Sequence, residues 1–217
     1  MVNLLRRRAM SATVSSRLPP EYQEVEYIQQ AMDEADRTYI ATDFTPNQNS
    51  GLEIKATRPN HYVQTSSSSN RFGIQSAVFN NGNTNVRFVF RTAVYPGGNT
   101  AVPQYSETDV YEASLINKKY TVKNLTQDTT YSGNTTSSSF TAPRPFCIFA
   151  TRTLDTIQMF GAGVKLYYIR LYQGTNLVHD YVPCYRKSDH EAGLYDLIDK
   201  AFSSGVTAGA LSYGPEV

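Results

Sequence analysis

The apolar and polar positions of this chain form short runs with a period of two, separated by turn-forming residues. Val86, Phe88 and Phe90 share one face and Arg87 and Arg91 lie on the other, a partial alternation typical of a strand that buries one face. Residues 145–150 (PFCIFA) and 164–172 (VKLYYIRLY) are apolar or aromatic at both parities, which predicts central strands covered on both faces. Runs of this kind, rich in β-branched and aromatic residues, are typical of a β-sandwich or barrel.

The segments between these runs carry Asn, Gly, Pro and Ser. Residues 80–83 (NNGN), 96–99 (PGGN) and 132–134 (SGN) contain residues that tolerate positive φ, so they predict hairpin connections. Residues 27–37 have some helical propensity but neither caps nor an apolar stripe, and a turn or short 3₁₀ piece is expected there. The pattern therefore predicts an all-β chain with few helices.

Motifs near both ends of the chain point to a more specific architecture. Residues 18–28 read LPPEYQEVEYI and residues 38–46 read TYIATDFTP, while the C-terminal part carries LVHDYVPC at 177–184 and GLYDL at 193–197. This order resembles the concanavalin A-like, or laminin G-like, jelly-roll domains of bacteriophage structural proteins and gut-bacterial surface proteins, whose patterns read LPxxYxxLEYI and LVRDFIPC followed by GLYDL. The resemblance spans residues 18–213 and implies an antiparallel β-sandwich of the concanavalin A-like jelly-roll type.

Length and charge add a domain organisation to this picture. The 217 residues with 40% hydrophobic content suffice for one sizeable core, and the net charge of +1 provides no global field for nucleic acid or an anionic membrane. Residues 1–20 contain four arginines and no acidic residue, with little apolar periodicity. The sequence thus predicts an extended basic N-terminal arm over residues 1–20 and one jelly-roll domain over residues 21–217.

The arm is the first candidate for a binding function. Its charged and apolar residues are expected to dock on a partner: Leu4, Leu5, Arg6, Arg7, Arg8 and Arg17. It lacks the apolar run of a secretory signal, and no apolar run of the chain is long enough to cross a bilayer. Its composition also suits an organellar transit peptide, although a docking arm is the preferred interpretation.

The resemblance implies a structural protein, made in the cytoplasm of a bacterial host, on the outer surface of a bacteriophage virion. In this interpretation the chain is a capsid decoration or auxiliary protein, or is associated with a fibre or tail. Its partners are capsid or other virion proteins, it is present in many copies per particle, and it needs neither an enzymatic activity nor a cofactor.

An acidic motif offers an enzymatic alternative. Glu107, Asp109 and Glu112 form an ExDxxE pattern, which retaining glucanases of the concanavalin A-like superfamily use for hydrolysis. On a strand, Glu107 and Asp109 share one face, and Glu112 joins them only if a β-bulge inserts one residue. Because the chain has no tryptophan to stack on sugars, the preferred interpretation is an ordinary strand and hairpin with Glu112 facing solvent.

Tyrosines suggest a second alternative, a carbohydrate- or receptor-binding module resembling an adhesin or lectin. The chain has 16 tyrosines, and Tyr95, Tyr105 and Tyr131 lie beside turn signals, which makes them the candidates for stacking on cell-surface glycans. Tyrosine also suits the core and rim of a sheet, so each of the three has an equally simple structural interpretation.

Metal and thiol chemistry have weak support in the sequence. His61, His179 and His190 are far apart and none belongs to a ligand-spaced cluster, so no metal site is predicted. Cys147 and Cys184 lie in apolar, strand-like surroundings, which favours buried free thiols over a disulfide.

Overall fold

A computed structural model describes residues 17–33, 35–57, 61–64, 71–80, 84–90, 109–117, 119–134, 144–152, 157–159 and 163–217. Within these ranges the chain forms strands, bends and turns, with no helix that could span a membrane. The first nine strands are β1 (Tyr22–Glu24), β2 (Ile28–Gln29), β3 (Ile40–Ala41), β4 (Ser50–Thr57), β5 (His61–Gln64), β6 (Arg71–Asn80), β7 (Thr84–Phe90), β8 (Val110–Ile116) and β9 (Lys119–Asn124). The other nine are β10 (Thr129–Asn134), β11 (Cys147–Ile148), β12 (Ala150–Arg152), β13 (Ile157–Met159), β14 (Lys165–Gln173), β15 (Asn176–Arg186), β16 (Glu191–Asp196), β17 (Ala201–Ser204) and β18 (Ser212–Tyr213).

The strands assemble into one large antiparallel sheet and two smaller sheets. The large sheet is 11-stranded and runs β10-β9-β8-β4-β14-β15-β16-β17, with β1 added to β15, β2 to β14 and β18 to β2. A five-stranded sheet runs β13-β12-β5-β6-β7, and β11 pairs with β3. The fold is therefore all-β, as predicted, and this arrangement of sheets is compatible with a β-sandwich.

The inner face of the large sheet carries the main core. Alternate residues of β4 and β8 are buried, and Leu52, Ile54 and Leu115 expose at most 1% of their surface. Leu52 and Ile54 belong to one apolar cluster with Ile40 of β3, Ile148 of β11 and the neighbouring Phe146. The alternation in sequence thus corresponds to one face packed against a second layer and one outer face.

The outer face is also covered, at the edge where the N-terminal residues enter the fold. Leu18 lies in a second apolar cluster with Val182, Cys184 and Tyr195, and Tyr22 and Phe202 pack against this cluster. The rings of Tyr22 and Phe202 stack with centroids 5.1 Å apart. This part of the sheet is buried on both faces, which explains the continuous burial of residues 181–185.

Several sequence predictions of strands and turns are confirmed and others are wrong. Residues 164–172 do form a central strand, β14, but its outer face is only half-buried. Residues 146–150 are fully buried at both parities, yet they contribute only to the short strands β11 and β12, outside the large sheet. Residues 27–37 form bends and turns around β2, as expected, apart from residue 34, which is not described.

The predicted hairpin connections have mixed outcomes. Strands β6 and β7 pair antiparallel up to Asn80 and Thr84, whereas the predicted turn residues 81–83 and 96–99 lie outside the described ranges. The turn prediction at 132–134 is wrong, because these residues lie within β10 and pair with 119–121. The hairpins in this region turn instead at Asn117 and at 125–128, where Asn117 and Asp128 adopt positive φ of 50° and 51°.

The two cysteines are free and fully buried, as the sequence predicted. Burial, together with the nearby charge of Glu24, raises the pKa of the Cys184 thiol to about 12. We therefore expect no reaction of the native protein with a thiol reagent such as Ellman's reagent at pH 8, and titration of both thiols after unfolding in guanidinium chloride. Release of one or two equivalents by the native protein would contradict this packing.

Candidate functional site

The residues predicted to bind partners are only partly within the described ranges. Leu4, Leu5, Arg6, Arg7, Arg8, Tyr95, Tyr105 and Glu107 lie outside them. Tyr131 lies on β10, where it pairs with Val122, and its side chain is not described. Arg17, Asp109 and Glu112 are described, and the structure places them at three separate points of the large sheet.

Arg17 marks the point at which the predicted arm meets the domain. Its guanidinium donates to both carboxylate oxygens of Glu24, with Nε 2.9 Å from Oε2, and this bond to Glu24 raises the pKa of Arg17. The next residue, Leu18, is buried in the second apolar cluster, and Lys187 Nζ donates to the carbonyl of Pro20 at 2.8 Å. Residues 17–20 are therefore fixed to the edge formed by β1 and β15.

The C-terminal residues lie at the same edge. Val217 N donates to the carbonyl of Glu24 at 3.2 Å, and Glu216 forms an isolated antiparallel bridge with Val25. Glu216 also accepts a 2.7 Å hydrogen bond from the Tyr185 hydroxyl. Arg17 and Val217 thus both contact Glu24. Strands β8, β9 and β10 lie at the other end of the strand order.

The acidic motif does not assemble on one face. Asp109 is buried and accepts hydrogen bonds at 2.8 Å from the side-chain amides of Asn124 and Gln127. Glu112 lies on the opposite, outer face, because the pairing of β8 with β4 and β9 is regular and contains no bulge. The bulge required by the glucanase arrangement is therefore absent between these two residues. Glu112 does lie on the outer face of an ordinary hairpin, where it is half-buried and not fully exposed to solvent.

The outer face of the large sheet presents a cluster of aromatic and charged side chains along β14. The hydroxyl of Tyr172 donates to Glu53 Oε2 at 2.7 Å, and Arg170 Nε donates to Asp180 Oδ1 at 3.0 Å. The Arg170 guanidinium lies 5.0 Å from the centroid of the Tyr168 ring. Burial raises the pKa of both Tyr168 and Tyr172 to about 12, so both hydroxyls are protonated donors at neutral pH.

The inner face of the large sheet carries a different group of polar side chains, around His179. His179 on β15 points to the core face beside Tyr181, and Asp196 at the end of β16 lies opposite Tyr181 in the sheet register. His179 Nδ1 and Asp196 Oδ2 are 2.7 Å apart, and both side chains are nearly buried. A histidine bonded through Nδ1 to a buried carboxylate is an arrangement found in metal centres and in general bases.

Asp196 also organises the turn that follows it. Its Oδ1 accepts hydrogen bonds from the backbone N–H of Asp180 at 3.1 Å and of Ile198 at 2.9 Å. These bonds connect β15 to the turn at 197–200, and they satisfy a carboxylate that would otherwise be buried without partners. Asp196 is the aspartate of the GLYDL motif, so this network gives the motif a physical role.

Aromatic rings and two exposed carboxylates complete the surroundings of His179. The Tyr181 ring stacks on the imidazole with centroids 5.5 Å apart, and Phe44 packs against it edge-on at 5.9 Å. Asp43 Oδ1 lies 3.5 Å from Nε2, and Asp199 Oδ2 lies 3.4 Å from Nδ1. One donor atom each of Asp43, His179 and Asp199 lies within 4.8 Å of the other two. We call these three residues the His179 cluster.

Sequence reasoning missed the His179 cluster because its members are separated by up to 156 positions, from 43 to 199. Metal-ligand spacing in sequence detects only ligands on one loop or helix, whereas here a loop, a strand and a turn each contribute one residue. The available signal was that Asp43 and His179 lie within the motifs TYIATDFTP and LVHDYVPC of the resemblance, and that Asp199 follows GLYDL by two residues.

Comparisons with known proteins give little further information. No protein-family model matches the chain, and no curated protein is similar to it. Among solved structures, scytalido-glutamic peptidase with a transition state analog inhibitor aligns over 89% of this chain and 98% of its own, at 12% identity and a TM-score of 0.33. The same peptidase with a peptide-based transition state analog aligns at 12% identity with a TM-score of 0.32. These TM-scores are too low for any property of the peptidase to be transferred to this chain.

Proposed function

We propose that this chain is a non-enzymatic structural protein of a bacteriophage virion, a capsid decoration or auxiliary protein or one associated with a fibre or tail. It docks on the particle through the basic arm and displays a concanavalin A-like, laminin G-like domain on the outer surface. The observation that carries the proposal is that the C-terminal end of the arm is fixed to the domain. There Arg17 pairs with Glu24, and Leu18 is buried. The assignment to a virion rests on the resemblance of residues 18–213 to domains of bacteriophage structural proteins.

Fixing the C-terminal end of the arm to the domain favours docking through the arm for an energetic reason. Arms that order on binding lose conformational entropy, which reduces the affinity obtained from their contacts. Anchoring at Arg17 and Leu18 limits this cost to the residues that precede them. Leu4 and Leu5 then fill an apolar groove on the partner, while Arg6, Arg7 and Arg8 meet acidic side chains.

The presence of many copies on one particle can compensate for a weak contact made by each arm. A decoration or fibre-associated protein is present in many copies, so contacts between copies raise the overall avidity far above that of one arm. The near-neutral net charge of the chain makes the arm its concentrated basic feature. Affinity for the particle is therefore expected to fall as salt rises, because exposed ion pairs are screened.

The apolar part of this contact can be tested by substitution. Changing Leu4 and Leu5 to serine removes two side chains that each contribute about 1.5–3 kcal/mol when buried, so we expect affinity for the particle to fall about 100-fold or more. Binding is measured by co-sedimentation with virions, and with empty shells, of the phage that encodes the chain. The matched control changes two exposed apolar residues of the domain to serine, Met32 (70% exposed) and Val206 (56% exposed).

The outcomes of this experiment separate the proposal from its competitors. Loss of sedimentation in the arm variant, with normal sedimentation of the Met32 and Val206 control, supports docking through the arm. Equal sedimentation of both variants would overturn it. The two variants also need identical circular dichroism spectra, because a folding defect would reduce sedimentation for a different reason.

A carbohydrate- or receptor-binding module is the second candidate, and the outer face of the large sheet favours it. Tyr168 and Tyr172 offer ring faces and hydroxyls beside Arg170 and Glu53, a combination suited to a sugar or a polar receptor surface. A glycan array probed with the wild-type chain and with Tyr172→Ala tests this directly. Array binding that depends on Tyr172 and persists in the arm variant would make the chain an adhesin-like module; absence of array binding would remove this candidate.

A further inference from the structure

We propose that the His179 cluster binds one divalent transition-metal ion of the zinc class through His179 Nε2 and the carboxylates of Asp43 and Asp199. This site is independent of the arm and of the outer face, so it stands or falls apart from the proposed function. Nothing in the sequence pattern predicted it. It follows from the tautomer of His179, the packing of its ring and the orientation of its Nε2 atom.

The hydrogen bonds of Asp196 define the proton position on His179. Asp196 Oδ1 accepts two backbone N–H groups, so the carboxylate acts as an acceptor, and its Oδ2 is 2.7 Å from His179 Nδ1. Nδ1 therefore carries the proton and donates it to Asp196. In the neutral imidazole this leaves the lone pair on Nε2, the atom that binds a metal, and makes Asp196 the carboxylate that orients the ligand from behind.

The nitrogen that holds this lone pair is in an unusual position. The His179 side chain is only 9% exposed, and among the described residues its Nε2 forms no hydrogen bond. The stacked ring of Tyr181 and the edge contact of Phe44 fix the plane of the imidazole, so Nε2 has one direction, toward Asp43. An imidazole nitrogen held in one orientation by aromatic neighbours, with a carboxylate oxygen 3.5 Å away, is a feature expected of a metal ligand.

The distances suit an ion of this class. Ligands at about 2.0–2.2 Å in a tetrahedral arrangement lie roughly 3.3–3.6 Å from one another. The distance from His179 Nε2 to Asp43 Oδ1 is 3.5 Å. Asp43, with 81% of its side chain exposed, already lies beside Nε2. Asp199 Oδ2 lies 3.4 Å from Nδ1, so the Asp199 side chain, which is 49% exposed, has to rotate to reach an ion at Nε2. One imidazole and two carboxylates form a ligand set that selects zinc-like ions over calcium, and water completes the coordination.

Bound metal would connect three separate parts of the chain: the loop before β4, the strand β15 and the turn after β16. Because the ion binds the folded state and the three ligands are separated in the unfolded chain, metal binding stabilises the fold. At a metal concentration 100 times the dissociation constant, we expect the melting temperature to rise by about 5–10 °C.

The test uses the full-length, untagged protein after treatment with EDTA and removal of the chelator. Zn²⁺ is titrated by calorimetry, and Co²⁺ is titrated by its visible d–d absorption, which reports nitrogen and oxygen ligands directly. We expect one equivalent of each ion per chain and, on binding, cobalt d–d bands that are more intense and shifted to longer wavelength than those of the aqua ion, as tetrahedral coordination requires. His179→Gln should abolish the cobalt signal, and Asp43→Asn should weaken binding at least tenfold.

Two variants keep the test decisive. Asp43 is highly exposed, so Asp43→Asn leaves the fold intact even if His179→Gln disturbs it. His190→Gln is the matched control, because His190 is exposed and lies outside the cluster. Binding by wild type and His190→Gln, with loss in both cluster variants, supports the site. Absence of a cobalt spectrum, or binding unaffected by Asp43→Asn, would overturn it.

Discussion

Replacing Asp196 by alanine is expected to lower the free energy of unfolding by about 3–5 kcal/mol, the largest effect of any single substitution proposed for this chain. Asp196 accepts from the backbone N–H of Asp180 and Ile198 and from His179 Nδ1, and it is 2% exposed. The alanine variant leaves all three donors without this acceptor, and water has little access to replace it. The melting temperature should fall by roughly 10 °C or more.

Two control variants separate the network from the charge itself. Asp196→Asn keeps an acceptor oxygen for the backbone donors, so its loss of stability should be clearly smaller than that of alanine. Asp189→Ala removes an aspartate from the neighbouring turn, where the side chain is exposed and pairs with Arg186, and should change stability little. Urea unfolding measures all three. An alanine variant at 196 within 1 kcal/mol of wild type would show that the network does not stabilise the fold.

Gly193→Ala is expected to lower the free energy of unfolding by about 2–3 kcal/mol. A Cβ at this position would lie 2.4 Å from the backbone carbonyl oxygen of Ser203 and 2.7 Å from Cζ of Phe202. The Phe202 ring can rotate, but the Ser203 carbonyl belongs to β17, which pairs with Gly193 itself. The alanine must therefore push β17 away from β16, and part of the second apolar cluster opens with it.

The source of this effect can be identified with a second substitution. If the carbonyl of Ser203 is the obstacle, shortening Phe202 to leucine in the Gly193→Ala background will not restore stability. Hydrogen exchange should also become faster at the amides of 201–204 and remain unchanged in the distant strand β8. Full recovery of stability by Phe202→Leu would instead assign the cost to the ring, and unchanged exchange in β17 would contradict the displacement of that strand.

Gly193 and Asp196 show which parts of the structure can be predicted from the sequence. The all-β class follows from the period-two runs, and the GLYDL motif is part of the resemblance that the sequence shows. The structure supplies the reason: Gly193 leaves room for a neighbouring carbonyl, Leu194 is buried in the core, and Asp196 accepts three hydrogen bonds. A motif of this kind is recognisable in one sequence, but its partners lie on other strands and are set by register.

The incorrect predictions share a physical cause. The Ser132–Asn134 segment has turn-forming residues, yet pairing with β9 keeps it extended, while Asn124 caps the true turn by accepting from the N–H groups of Thr126 and Gln127. Local propensity is weak compared with a ladder of inter-strand hydrogen bonds. The His179 cluster could not be predicted for a related reason, since three distant segments meet only after the sheet has formed.

The most direct test of the proposed function is co-sedimentation of the full-length chain and of a deletion of residues 1–16 with virions of the encoding phage. The deletion ends before Arg17, so it preserves the Arg17–Glu24 pair and the burial of Leu18. Both proteins should have the same melting temperature, and both should be probed on a glycan array. The account predicts that the full-length chain sediments with particles, that the deletion stays in the supernatant, and that neither binds the array. Sedimentation of the deletion at wild-type levels, or glycan binding by both proteins, would contradict docking through the arm.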